Sequence, residues 1–118
     1  AHFGQHVAAE LFELPRRPTA AIALNDILAI GVFAGLHKLG LNVPTDCSLV
    51  GIDDIQLAGL MVPTLTTLRP DHAGMAEKAI ALLQTRLKEP DLPNRESVFA
   101  PELIVRESSA PPSQGKAG

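Results

Sequence analysis

Residues 19–40 read "TAAIALNDILAIGVFAGLHKLG". Thr19 to Leu24 is an apolar run of the length of a buried strand. Ile27 to Leu39 has the length and composition of a helix, with Gly40 placed as the residue after its C-cap. Between them stands the hydrophilic pair Asn25-Asp26. The next residues complete a strand–helix–strand unit: "LNVPTD" is a turn, "SLVGI" a second apolar strand, and Asp53-Asp54 follows it directly. Two strands therefore each end in a polar pair.

Upstream, Phe3, Val7, Leu11 and Leu14 repeat at helical spacing until "PRRP" ends the pattern. Downstream, "IQLAGLMVP" reads as a short helix or irregular connection and "LTTL" as a third extended piece. A helix is expected from about His72 to Lys88 with Asp71 as its N-cap. Met75, Ala79, Leu82, Leu83 and Leu87 share one of its faces. "EPDLPNRES" is a loop, "VFAPELIVRE" is extended, and "SSAPPSQGKAG" has the composition of a solvated tail. Alternating helices and apolar strands predict an α/β fold: a Rossmann-like parallel sheet with helices on both faces. Such sheets bind ligands beyond the carboxyl ends of their strands. Both polar pairs fall at that rim.

With 118 residues, 46% of them hydrophobic, the chain suits one domain or part of a larger one. Its first residue is not Met, as in a piece of a longer protein. Ten basic against 13 acidic side chains give a formal charge of −3. That sign, with no cationic stripe, argues against a nucleic-acid module, which must displace phosphate counterions. Trp and Tyr are absent, so a platform for stacking bases or sugars is not expected within the chain. The lone Cys47 excludes an internal disulfide, fits a reducing compartment, and sits at a strand start as a small core residue. No apolar run approaches the roughly 20 residues that span a bilayer. A soluble, cytoplasmic unit without membrane contact is expected.

Asn25 admits two readings. Its amide oxygen can cap the following helix, or the amide can offer a donor and an acceptor to a hydroxyl-rich ligand. Asp26 would lie at the positive helix end. Asp53 and Asp54 do not make an acid/base pair, because adjacent residues leaving a strand point to opposite sides. One faces the crevice and can accept two ligand hydroxyls; the other anchors the turn. His2 and His6 have the spacing of a zinc pair, but no Glu follows His2 and no third ligand is evident, so no metal site is expected. His37 and His72 read as surface or helix-end residues. No nucleophile–base pair points to an enzyme, and no stretch cradles a phosphate-bearing cofactor.

From Ile27 to Leu36 the second helix has no polar side chain. A helix apolar all round is buried on more than one side. A homodimer seam is therefore expected from Ile27, Leu28, Ile30, Gly31 and Ala34, joined by Leu60, Met61 and Val62. Gly31 and Gly35 would permit close approach there, or equally against the sheet.

The segments "ALNDILAIG", "VPTDCSLVGIDD", "PTLTTLRP" and "ELIVRES", in this order and separation, resemble the C-terminal part of bacterial transcriptional regulators of the lactose/galactose repressor (LacI/GalR) type. The likeness runs from the first helix to about Pro111. It implies the C-terminal lobe, over residues 1–110, of an effector-binding domain akin to periplasmic sugar-binding proteins, followed by a disordered tail at 111–118. The helix at 71–88 would pack on an N-terminal lobe absent from this chain, leaving its Met75, Leu82, Leu83 and Leu87 face without cover. Operator DNA would be bound by a separate headpiece outside the chain. The resemblance assigns Asn25 and Asp53 to the effector, a sugar or similar polyol, and structural roles at the same rim to Asp26 and Asp54. It also places the apolar helix and "LMVP" in the family's dimer interface. Two departures stand out: Ile52 where many members have an aromatic residue, and Pro70 where many have Gln. A periplasmic sugar-binding protein of a transport system is the alternative, and an enzyme acting on a sugar a remoter one. An upstream helix-turn-helix would decide for the regulator, a secretion signal for the transporter.

Overall fold

The strand–pair–helix reading of residues 19–40 is realised in a computed structural model that describes residues 2–112. Residues 113–118 of the expected tail lie outside the described residues. In chain order the elements are α1 (His2–Glu13), β1 (Ala20–Ile22), α2 (Asp26–Lys38), β2 (Ser48–Ile52), a 3₁₀ turn (Gln56–Gly59), β3 (Thr66–Arg69), α3 (His72–Lys88) and β4 (Glu102–Ile104). The four strands form one sheet in the order β1-β2-β3-β4. β1 pairs with β2 and β2 with β3, both parallel, with Ile22 opposite Val50 and Gly51 opposite Thr67. The chain divides into two compact units, residues 2–69 with 103–112, and residues 70–102.

In the first unit, α2 lies against the face of the sheet that carries Leu49, Gly51, Leu65 and Thr67. Ala29, Val32 and Leu36 from α2 meet Leu49 and Leu65 in the core, where Cys47 and Ala58 are also buried. Burial pushes the Cys47 thiol pKa up. α1 packs on α2, and it does so backbone to backbone. A β-carbon on Gly4 would come within 2.7 Å of Leu28 O and Val32 N, and one on Gly35 within 2.6 Å of the Ala8 β-carbon. The contact face of α1 is therefore Gly4, Ala8 and Phe12, all buried. This corrects the expected face of Phe3, Val7, Leu11 and Leu14: Phe3 is 68% exposed, and Leu14 lies beyond the helix end. Small residues won over large ones because the glycines let the two helices touch, and a large side chain in that seam would hold them apart.

β1 also departs from expectation. Rather than being buried throughout, it exposes Ile22 at 75%. It is the edge strand of the sheet, so its residues lack a neighbour on one side.

At the other end of the strands, part of the presumed solvated tail is structural. Ser108 is buried; its hydroxyl donates to Leu49 O at 2.5 Å and accepts from Thr66 N at 2.8 Å. Its own backbone bridges the same strands, with Leu49 N donating to Ser108 O and Ser108 N to Thr64 O. Ser48 Oγ bonds Ala110 O at 2.9 Å and accepts from Ala110 N at 3.0 Å. Serines, polar in composition, are the right side chains to satisfy backbone groups where the sheet begins.

In the second unit, α3 is capped as expected by Asp71, which accepts from Gly74 N at 2.9 Å. None of its residues is buried; Met75, Leu83 and Leu87 are exposed and Leu82 is half-buried. Arg86 reaches back from the last turn to Pro90 O, Leu92 O and Asn94 Oδ1, tying the loop after α3 to the helix. Of "VFAPELIVRE" only Glu102–Ile104 is strand.

Candidate functional site

The parallel register sets the geometry of the rim. Ile22 lies opposite Val50, so Asn25 and Asp53, each three residues further on, stand level at the exits of β1 and β2. By the register of β3, in which Ile52 faces Leu68, Arg69 stands at the same level. All belong to the first unit.

Asn25 does cap α2. Its backbone is extended, and its Oδ1 accepts from Leu28 N at 2.7 Å. The cap uses the amide oxygen alone. Nδ2 has no partner among the described residues, and the side chain is exposed. The two readings of Asn25 are thus compatible: the oxygen is engaged by the helix, and the two N–H donors remain for a ligand.

Asp26 is fully buried. Oδ1 accepts from the Thr67 hydroxyl at 2.6 Å and Oδ2 from Ile55 N at 2.9 Å. Room for the carboxyl comes from Gly51, where a β-carbon would overlap Asp26 Oδ1. A single side chain therefore joins the start of α2, the exit of β2 and the middle of β3.

The turn leaving β2 is held in an uncommon conformation. Asp53 (φ 114°) and Asp54 (φ 52°) both have positive φ, a region that costs non-glycine residues of order 1–3 kcal/mol. Its backbone amides are all occupied: Asp53 N donates to Leu68 O at 2.8 Å, Asp54 N to Thr67 Oγ1 at 3.4 Å and Ile55 N to Asp26. Strain of this kind persists only where the surroundings over-determine it, and it collects at ligand sites.

The two aspartates then part company. Asp54 accepts from Arg106 Nη2 and Arg69 Nε, both at 2.6 Å, with its carboxyl nearly out of solvent. Burial by itself would raise its pKa; the hydrogen bonds and charges of Arg106 and Arg69 outweigh that and hold it below the usual carboxylate value. Asp53 is half-buried, and its carboxyl has no partner among the described residues. At the rim, then, Asp26 and Asp54 are engaged by the protein on both oxygens, while the Asn25 amide N–H groups and the Asp53 carboxyl are unspent. The arrangement can donate two hydrogen bonds and accept several, as suits a ligand with adjacent hydroxyls.

Arg69, Arg106 and Thr67 escaped the sequence-based search for rim residues. The signal was present in "TTLRP" and "IVRES", but nothing local says that two arginines far apart in sequence converge on one carboxyl. A hollow of about 220 Å³ lies away from the rim, lined by Ala9, Phe12, Glu13, Arg17, Leu39 and Leu41. The rim itself is an open edge.

The remaining candidates separate clearly. Among the expected seam residues Ile27 is 53%, Leu60 68% and Val62 87% exposed, while Leu28, Ile30, Ala34 and Met61 are half-buried. Met61 packs on the core. Gly31 is a correction: it is buried, and Gly4 of α1 lies against it. The apolar side of α2 at Gly31 and Gly35 is covered within the chain by α1, so neither glycine is open to a second copy. His6 pairs with Glu10 on α1 at 3.3 Å, both well exposed. Among the described residues no three His, Cys, Asp or Glu side chains gather as metal ligands, and no helix is long and apolar enough to cross a membrane.

Comparison with known proteins identifies the fold. Residues 2–109 match the family model of the periplasmic binding protein-like domain. The HTH-type transcriptional regulator MalR of Streptomyces coelicolor is 38% identical over 115 residues, covering 96% of this chain and 33% of the relative. A LacI family transcriptional regulator from Enterococcus faecium, solved with bound ribose, superposes with a TM-score of 0.79 at 30% identity, covering 95% of this chain and 41% of that one. One from Lactobacillus casei with bound sucrose gives 0.73 at 29%, covering 92% and 40%. The chain spans about a third of the length of the curated relatives it matches. With residues 2–109 matched by the family model and its relatives being LacI-family transcriptional regulators, the chain belongs to the periplasmic binding protein-like domain family, in the form found in LacI-family transcriptional regulators.

Proposed function

We propose that this chain is the C-terminal lobe of the effector-binding domain of a cytoplasmic LacI-type transcriptional regulator, and that Asn25 and Asp53 hold a sugar or related polyol at its rim. The observation that carries this is the contrast between neighbours. Of four polar residues at two strand ends, Asp26 and Asp54 are engaged by the fold on both oxygens, while two that stand level keep groups unspent: Asn25, beyond its capping oxygen, its N–H₂, and Asp53 its carboxyl. Solved relatives that hold ribose or sucrose support the chemical class. Relatives that are transcriptional regulators support a binding role rather than turnover.

The regulator would work by population shift. A ligand gripped between this lobe and a second one moves the equilibrium only by its differential affinity for the two arrangements. Once the second lobe closed over them, Asn25 and Asp53 would discriminate, because a sugar lacking the matching hydroxyl leaves covered polar groups unpaired. Operator DNA would be reached through a headpiece outside this chain. A homodimer would use the exposed apolar residues Ile27, Leu60 and Val62 with Leu28, Ile30, Ala34 and Met61 around them, and α3 would turn its Met75, Leu83 and Leu87 toward the other lobe.

Calorimetric titration of the full-length parent protein with D-ribose, D-glucose and sucrose tests the site. At least one sugar should bind, and Asp53→Asn should abolish the heat. Binding unchanged in Asp53→Asn, or no sugar bound by the wild type, overturns the assignment.

A further inference from the structure

Asp26 is the only fully buried acid among the described residues, and its hydrogen bonds reach the segments that carry both Asn25 and Asp53. It is the chain neighbour of Asn25. Through Oδ2 it holds Ile55 N, two residues after Asp53. Through Oδ1 it holds the Thr67 hydroxyl, which in turn accepts from Asp54 N. One carboxyl thus ties the residue beside Asn25 to the two amides that follow Asp53 in the positive-φ turn.

From this geometry we infer that Asp26 is a positioning residue for sugar recognition: it fixes the separation of Asn25 and Asp53, and so sets which pair of hydroxyls the rim accepts. The inference rests on the effector-binding function proposed above. No simpler side chain does the same work. Gly51 gives up its β-carbon so that the carboxyl can lie on the strand, and the carboxylate presents one charged oxygen to the Ile55 N–H and the other to the Thr67 O–H. Asn in its place retains one acceptor: Oδ1 can still take Ile55 N–H, but the Thr67 hydroxyl must then turn its proton toward Leu68 O and accept from the N–H₂ as well as from Asp54 N. The charge-assisted tie at 2.6 Å is replaced by a weaker neutral one of opposite direction, the turn is held less firmly, and Asp53 moves relative to Asn25.

The test uses the full-length protein, whichever of D-ribose, D-glucose and sucrose it binds, and deoxy analogues of that sugar. At a temperature where every variant is folded, Asp26→Asn should raise Kd at least about tenfold, the scale of effect that misplacing a contact by an ångström produces. It should also narrow the preference for the sugar over its deoxy analogues. Thr67→Val should shift both readouts the same way, and Thr67→Ser, which keeps the hydroxyl, should restore them; this pair carries the test alone if Asp26→Asn does not fold. A lower melting temperature with unchanged Kd and unchanged preference, while Asp53→Asn abolishes binding, would make Asp26 a scaffold residue only and overturn the inference. Undiminished binding in Asp53→Asn would instead overturn the proposed function, and the inference with it.

Discussion

Nη2 of Arg106 lies 2.6 Å from Oδ1 of Asp54, joining the end of the described chain to the turn that presents Asp53. Arg69 Nε takes the other oxygen at the same distance. Arg69 is the last residue of the first unit before the chain leaves for residues 70–102, and Arg106 follows soon after its return. Asp54 therefore fastens the outgoing and the returning segment at one point, one residue from the unpartnered Asp53 carboxyl.

Removing that fastening has a defined pH signature. The pair with Arg106 is partly buried and that with Arg69 more open, so Asp54→Asn should cost about 1–3 kcal/mol at neutral pH. The folded carboxyl has a lowered pKa, Arg106 and Arg69 overcoming the opposing effect of burial. Its contribution is hence complete above the unfolded value of about 3.9 and is lost as pH falls through the lower folded one. Melting curves of the two proteins should be well apart at pH 7 and converge in acid; a gap that stays constant would contradict the ion-pair account.

Gly51→Ala should be destabilising by about 1–3 kcal/mol in urea titrations, as overpacking usually is. The added β-carbon would overlap Oδ1 of a carboxyl whose two oxygens are each fixed by a hydrogen bond, so that it cannot swing aside. Sugar binding should weaken with it. Wild-type stability would mean that Asp26 has a second place to go.

Asn25 permits the cap and the ligand contact to be separated. Asn25→Asp keeps the oxygen that accepts from Leu28 N and loses the N–H donors. Since Asn and Asp cap about equally well, stability should change by no more than about 0.5 kcal/mol, while calorimetry should show sugar binding lost. Asn25→Ala should lose both, with a stability cost of about 1 kcal/mol. Retained binding in Asn25→Asp would leave Asn25 a cap and nothing more.

The α1–α2 seam can be tested at Gly35. A methyl group there would come within 2.6 Å of the Ala8 β-carbon and 2.9 Å of Gln5 Cα, so Gly35→Ala should cost about 1–3 kcal/mol by forcing the helices apart. Phe3→Ala, on the exposed side of α1, should change little. Equal effects of the two substitutions in urea unfolding would place the contact face of α1 elsewhere.

Much of this was open to reading in the sequence, because it depended on local chemistry. Periodicity and end signals located the helices to within a residue or so, and the Asn25 and Asp71 caps were evident from side chains that can accept a bond from the backbone three residues on. The parallel alternation followed from the apolar strands, and it placed Asn25 and Asp53 on one rim before any coordinates. Other features depended on partners distant along the chain. α1 was assigned the wrong face because its large side chains outweigh its glycine on any hydrophobicity scale, whereas the packing was decided by how near α2 could come. Ser108 looked solvated because serine usually is, yet it sits where two strands need their first backbone groups satisfied.

The sequence by itself settled the order of elements, the strand exits and the residue types available there, since each of these rests on contacts a few residues apart. Tertiary structure alone decided which of those residue types were already spoken for. Asp53 and Asp54 are the same amino acid in adjacent places, and only the arrival of Arg69 and Arg106 makes one of them structural and leaves the other free. A carboxyl's role is set by which donors reach it, and those donors come from segments that only folding brings together.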